Sequence, residues 1–299
     1  MRTIAIINQK GGVGKTTTAV NLSAALAESG KRVFLIDLDP QAHASLHLGV
    51  IPQEGEPSIY DVLLDEADID EVAQEVRPNL TVLPSHLDLA AAELELAGEV
   101  GREVILRDRI AASELTADYV LIDCPPSLGV LTLNALTTVN EVLLPMQPHF
   151  LALHGLSKLL STIDVVGRRL NPQLQLSGIV FCMYDRATRL AAEVTRDVES
   201  FFEQVDDPTS PWAHAAPMAT KIRRNIRLAE APSFGQSIFE YAPYSNGAAD
   251  YRCLAEEILE AGERRRYAYG GRNDRTQSSR RSGVKKRSMK KSRRKKLAR

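Results

Sequence analysis

The sequence predicts an α/β fold, a mostly parallel twisted sheet flanked by helices, and three observations carry that prediction. Apolar runs rich in β-branched residues recur with helical patterns between most of them, the alternation expected of parallel strands joined by crossovers and covered on both faces. The first run, Ile4-Ala5-Ile6-Ile7, leads straight into the glycine-rich stretch Lys10-Gly11-Gly12-Val13-Gly14-Lys15-Thr16-Thr17 and then a helical pattern. Two later runs close on acids, Phe34-Leu35-Ile36-Asp37-Leu38-Asp39 and Val120-Leu121-Ile122-Asp123.

In chain order, strands fit Thr3 to Asn8, Arg32 to Asp37, Leu80 to Pro84, Tyr119 to Asp123, Glu141 to Pro145 and Leu176 to Met183. Helical periodicity fits Thr16 to Glu28, Leu87 to Gly98, Arg102 to Ser113, Leu156 to Leu170, Ala191 to Val205 and Ala248 to Ala261. Asn171-Pro172, Asp207-Pro208 and Ser210-Pro211 mark turns, and there is no internal repeat.

A chain of 299 residues with 44% hydrophobic content can bury a substantial core. The net charge of −1 conceals a division. Residues 263–299 hold 17 Lys and Arg against two acids, so a tail of about +15 follows a body of about −16. Serines, Gly270-Gly271 and few large apolar residues predict that this tail is disordered, because it buries too little to offset chain entropy. The expected organisation is a folded domain over 1–262 and a basic tail over 263–299. No run of 18 apolar residues and no cleavage-site pattern occur, which predicts a cytoplasmic protein with no membrane span. Cys124, Cys182 and Cys253 are widely separated and read as small core residues in a reducing compartment. His43 and His47, four apart without a third ligand, read as surface polar residues rather than a metal site.

The glycine-rich stretch has a chemical reading. Gly11, Gly12 and Gly14 can turn successive N–H groups around a phosphate, and the following helix adds the positive end of its dipole. Lys15 supplies a point charge, and Thr16 can place its hydroxyl on a magnesium ion bridging the outer phosphates. This is a P-loop for a nucleoside triphosphate. Gln9 stands where the usual pattern has glycine, and Lys10 is a second lysine at the loop's start, which makes it a deviant Walker A motif. Asp37 and Asp39 share one face at the carboxyl edge of the sheet, near the loop if their strand neighbours the first. Asp123 closes its run as a Walker B acid does, holding magnesium through water. The plain structural alternatives are that Asp37 and Asp39 cap the next helix and that Asp123 begins a turn.

With these motifs and Ile122-Asp123-Cys124-Pro125-Pro126-Ser127-Leu128-Gly129, the chain closely resembles the ParA/Soj partition ATPases of the deviant Walker A group, which includes MinD. The resemblance runs to about residue 262 and takes in Asn134-Ala135-Leu136, Arg227 to Gly235 and Asp250-Tyr251. It implies a P-loop fold and an ATP-dependent homodimer that binds DNA non-specifically, with hydrolysis stimulated by a ParB-like centromere-binding partner and a nucleoid-associated location. ATP would lie against Lys10, Gly11, Gly12, Val13, Gly14, Lys15, Thr16, Thr17 and Asn225. Lys10 would reach the partner's phosphates, while Lys15 and Thr16 serve their own nucleotide and Asp39 orients the attacking water. Thr16, Asp37 and Asp123 would hold Mg2+, and Arg189, Arg224 and Arg227 would face DNA. Arg223 stands at a position commonly proline in the family, and Ala42-His43 replace a common Gly-Asn. A MinD-like membrane-positioning ATPase is the alternative, but the tail lacks the Leu/Phe face of a lipid-binding helix. The tail instead suits added DNA affinity through counterion release, its bland alternative being a solubilising extension.

Overall fold

The structure is a computed structural model that describes all residues except 54, 150, 151, 206 and 263–299, with the backbone alone at 152–154. The expected basic, disordered tail therefore lies outside the described residues. Met1–Ala255 form one compact unit, and the sheet and its covering helices belong to it. Residues 256–262 are helical.

Each predicted strand forms: β1 (Arg2–Ile6), β2 (Val33–Asp37), β4 (Leu80–Leu83), β5 (Tyr119–Asp123), β6 (Glu141–Met146) and β7 (Gln175–Phe181), with a further edge strand β3 (Gln74–Arg77). Every residue of β2, β5 and β6 is buried, as strands covered on both faces must be. The order is β3-β4-β2-β5-β1-β6-β7, with only β3 antiparallel. The two acid-ended strands are thus neighbours, and β5 rather than β2 lies beside β1. This corrects the conditional expectation that β2 adjoins β1, and it inserts Asp123 between the loop and Asp37. Register aligns Ile6 with Asp123 and Asp123 with Asp37, so the glycine-rich loop and both acids leave the sheet on one row.

The helices are α1 (Lys15–Glu28), α2 (His43–His47), α3 (Ile59–Leu63), α4 (Ile69–Val72), α5 (Leu89–Glu95), α6 (Ile105–Ala112) and α7 (Val130–Thr138), then α8 (Ala152–Arg169), α9 (Arg189–Glu203), α10 (Ile226–Glu230) and α11 (Ile238–Tyr241). Helical residues 246–255 form α12 and close the first unit. Helix α1 is buried along nearly its whole length; Ala19, Ser23, Ala24, Ala25 and Ala27 keep it narrow enough to pack against the sheet. Asn21 ties it into the fold, donating to the Thr17 carbonyl at 2.8 Å and accepting from the Ile238 N–H at 2.8 Å. At the sheet's opposite edge Arg2 and Glu141 form a buried bidentate pair, 2.6 and 2.9 Å. Among the described residues no helix is long and apolar enough to cross a membrane.

Two expectations need correction. Cys253 is exposed, whereas Cys124 and Cys182 are core residues as read. His43 is exposed but His47 is buried, because the short α2 packs one face against the turn over Ala231–Phe234. His47 meets the backbone of Gln236, while its Nε2 has no hydrogen-bond partner. Burial lowers its pKa from 6.5 to about 4. The ring is therefore neutral in the fold and protonates first in the unfolded chain, so its contribution is full above pH 6.5 and is lost as pH falls toward 4. We predict that between pH 7 and 5 this one group costs the wild type about 2 kcal/mol of stability. Urea denaturation at the two pH values should show a smaller loss for His47→Leu, and equal losses would show that His47 is not the titrating group.

Candidate nucleotide and magnesium site

The loop between β1 and α1 has the backbone its glycines allow. Gly12 and Gly14 take φ of 71° and 95°, the left-handed region that L side chains avoid. Gly14 is also the N-cap of α1, and a Cβ there would come within 3.4 Å of the Cys182 side chain. The loop is consequently free of side chains where backbone N–H groups must face an anion. Lys15 is buried, with its Nζ 3.5 Å from the Lys10 carbonyl oxygen.

Gly11, Gly12, Gly14, Lys15, Thr16 and Thr17 line a cavity of about 850 Å³, with Asp39 and Gln41 on one wall. Asn225 lines it too and N-caps α10 by accepting the Arg227 N–H at 2.9 Å. Lys10 and Val13 border a smaller adjacent cavity of about 190 Å³, and the exposed Lys10 ammonium meets Nε2 of His149.

Below the loop lie the carboxylates. Asp123 is fully buried, and neither oxygen has a hydrogen-bond partner among the described residues. Burial first, and the neighbouring Asp37 second, push its pKa well above the ordinary carboxylate range. The Thr16 hydroxyl opposes that shift without making a hydrogen bond of ordinary geometry to either oxygen. Asp37 is equally buried but satisfied: Oδ2 accepts from the Ser45 N–H at 2.8 Å and the Ser45 hydroxyl at 2.7 Å, and Oδ1 accepts from the Asp39 N–H at 3.3 Å. Burial raises its pKa to about 6 against the pull of those bonds. Asp39 sits past the end of β2, accepting from the Gln41 N–H at 3.0 Å.

Buried carboxylates with one empty pair of oxygens, beside a threonine hydroxyl and a cradle for phosphates, fit a magnesium-bound nucleoside triphosphate. Among the described residues no three His, Cys, Asp or Glu side chains are disposed to ligate a metal by themselves.

Ser45 and Ser85 were not singled out in the sequence. The Ser45 hydroxyl accepts the Ser85 N–H at 3.0 Å, and the Ser85 hydroxyl donates to the Asp39 carbonyl at 2.8 Å. They fasten α2 and the Asp39 turn to the end of β4. Ala42, where the family commonly has glycine, is held at φ 52° as the N-cap of α2, a conformation costing about 1 kcal/mol for a residue with a Cβ. The three basic residues proposed to face DNA are all exposed. Arg189 opens α9, and Arg224 lies beside the Tyr184–Arg223 bridge that joins the segment after β7 to residues 222–225. Arg227 pairs with Glu230 at 2.8 Å.

Comparison with known proteins agrees with this geometry. A family model described as an AAA domain matches residues 1–176. The sporulation initiation inhibitor protein Soj of Bacillus subtilis is 45% identical over 260 residues, covering 87% of this chain and 98% of that protein. The chromosome partitioning protein ParA of Caulobacter vibrioides is 43% identical over 263 residues, covering 87% and 94%. Among solved structures, cobyrinic acid a,c-diamide synthase of Mycobacterium smegmatis with bound ATP analog and magnesium superposes with a TM-score of 0.73 at 36% identity, covering 90% of this chain and 97% of that one. More than two fifths identical to Soj and ParA over nearly the whole length of each, this chain belongs to the ParA/Soj family of partitioning ATPases.

Proposed function

We propose that the chain is a DNA-partitioning ATPase that uses ATP and Mg2+, hydrolysing ATP to ADP and phosphate slowly until a ParB-like partner stimulates it. ATP drives homodimerisation and non-specific DNA binding, and the cycle segregates or positions chromosome or plasmid DNA on the nucleoid in the cytoplasm. The observation that carries this reading is the buried, unpartnered Asp123 carboxylate behind Thr16 and the glycine loop. Such a group is costly unless a cation is drawn to it. The solved relative with bound ATP analog and magnesium supports the same cofactor pair.

In this reading the loop N–H groups and the α1 N-terminus receive the phosphates, and Lys15 neutralises them. Thr16, with Asp123 acting through water and Asp37 supporting, holds Mg2+, which supplies charge neutralisation at the outer phosphates. Asp39, on the cavity wall, orients the attacking water. Lys10 is exposed at the loop's start, as a residue serving a second protomer's phosphates must be.

Lys15→Ala should abolish nucleotide binding, whereas Asp39→Ala should bind ATP and turn it over about 100-fold more slowly or worse. Fluorescent-nucleotide titration and phosphate release measure the two, and wild-type turnover in Asp39→Ala would remove that residue from the mechanism. Light scattering with ATP should show a dimer for Asp39→Ala and a monomer for Lys10→Ala/Asp39→Ala; equal dimer fractions would take Lys10 out of the interface.

DNA affinity should separate into two contributions. Deleting 263–299 should lower nucleotide-independent binding and the salt slope while leaving ATPase activity and the ATP-dependent increment, because each neutralised phosphate releases most of a counterion. Arg224→Ala/Arg227→Ala should remove the ATP-dependent increment alone. Fluorescence anisotropy across a salt series decides, and identical affinity and slope after truncation would show that the tail is not a DNA-binding element.

A further inference from the structure

Asp37 and Asp39 belong to one closed ring of hydrogen bonds, and the ring passes through Ser85. Asp37 Oδ2 accepts the Ser45 hydroxyl, the Ser45 oxygen accepts the Ser85 N–H, the Ser85 hydroxyl donates to the Asp39 carbonyl, and the Asp39 N–H returns to Asp37 Oδ1. Ser45 and Ser85 are fully buried, and Asp39 is 8% exposed. With water excluded, these bonds have little competition from solvent, so the ring fixes the peptide units on both sides of Asp39 together.

The other bonds of the Asp39 turn are mostly its own. The Leu38 N–H donates to the Asp123 carbonyl at 2.9 Å, which holds the chain as it leaves β2. Beyond that point the Asp39 carbonyl accepts the Ala42 N–H at 2.9 Å and the Ser85 hydroxyl at 2.8 Å, and Asp39 Oδ1 accepts the Gln41 N–H at 3.0 Å. Gln41 and Ala42 lie in the turn and move with it. Ser85 does not: it follows the end of β4, whose Leu83 is paired with Ile36 of β2. Among the described residues the Ser85 hydroxyl is thus the tie between the Asp39 carbonyl and the sheet. An aspartate side chain is short, so the place of its carboxylate follows from where its backbone is held.

We propose that Ser85 is a positioning residue for Asp39: its hydroxyl holds the Asp39 carbonyl, and thereby the carboxylate, in place at the cavity wall. The inference rests on the reading of Asp39 as the residue that orients the attacking water. Ser85 is fully buried, whereas Asp39 lines the cavity, so the hydroxyl reaches the reaction through Asp39. A small displacement of a group that aligns a reactant costs rate, while ATP binding on the glycine loop is left as it was. Ser85→Ala opens the ring at one bond only. It keeps the N–H that donates to Ser45, and the Asp39 carbonyl keeps its bond from Ala42.

The experiment is steady-state phosphate release with Mg2+ from the full chain as wild type, Ser85→Ala, Asp39→Ala and Ser85→Ala/Asp39→Ala, with fluorescent-nucleotide titration and urea denaturation of each. Ser85→Ala should lower kcat about tenfold and leave the nucleotide affinity within about twofold of wild type. In the Asp39→Ala background the same substitution should change kcat by less than about twofold, because the group it places is gone. Equal losses in the two backgrounds overturn the proposal, since a hydroxyl that serves only the fold acts whether or not Asp39 is present. Wild-type kcat in Ser85→Ala beside a slowed Asp39→Ala also overturns it and leaves the reading of Asp39 intact. Wild-type kcat in Asp39→Ala ends that reading, and this inference with it. Where Ser85→Ala does not fold, Ser85→Cys fills the space with a weaker donor and carries the same comparison.

Discussion

The burial of Asp37 and Asp123 on adjacent strands, one residue row from the glycine loop, is the constraint to which the rest of the site answers. Burial raises the pKa of both carboxylates, and the neighbouring Asp37 raises that of Asp123 further. The fold relieves them unequally. Asp37 receives three hydrogen bonds, two of them from Ser45, and is thereby a structural anchor for α2. Asp123 receives none of ordinary geometry. The asymmetry ties Asp37 into the fold and leaves both Asp123 oxygens without a hydrogen bond among the described residues.

That anchor connects the site to more distant surface. The turn after α2 brings in Gly49, whose backbone touches Gly235 so closely that a Cβ on Gly235 would stand 3.0 Å from the Gly49 Cα. Both glycines have positive φ, 78° and 62°. Gly235 ends the turn that follows α10, and α10 carries Arg227, whose partner Glu230 is itself held by the Tyr241 hydroxyl at 2.9 Å. With no methyl-sized slack between the two backbones, movement of α2 is resisted by the segment that bears Arg227. The Asp37 anchor and the segment that bears Arg227 are thus joined through packed backbone, with His47 buried in the same seam.

Much of this was legible in the sequence because the decisive signals are local. An apolar run followed by spaced glycines, or closed by an acid, needs no knowledge of strand order, and all six expected strands formed. What escaped was non-local or too short to show a period. The insertion of β5 between β1 and β2 depends on pairing between residues more than eighty positions apart. Helices α2, α3 and α4 have four or five residues, little more than one turn, and α7 intersperses Thr and Asn among its apolar residues with polar side chains buried too, so no face stood out. Ser45 and Ser85 are commonplace residues whose importance is visible only when their partners are.

Arg223 shows how a departure from a family pattern becomes intelligible in three dimensions. A proline fixes backbone geometry through its ring. Arginine gives up that restraint, and here the backbone N–H that proline would lack is used: it donates to Asp250, while the guanidinium grips the same carboxylate, 27 positions along the chain. The segment 222–225 is thus restrained by an ion pair to α12 instead of by a ring.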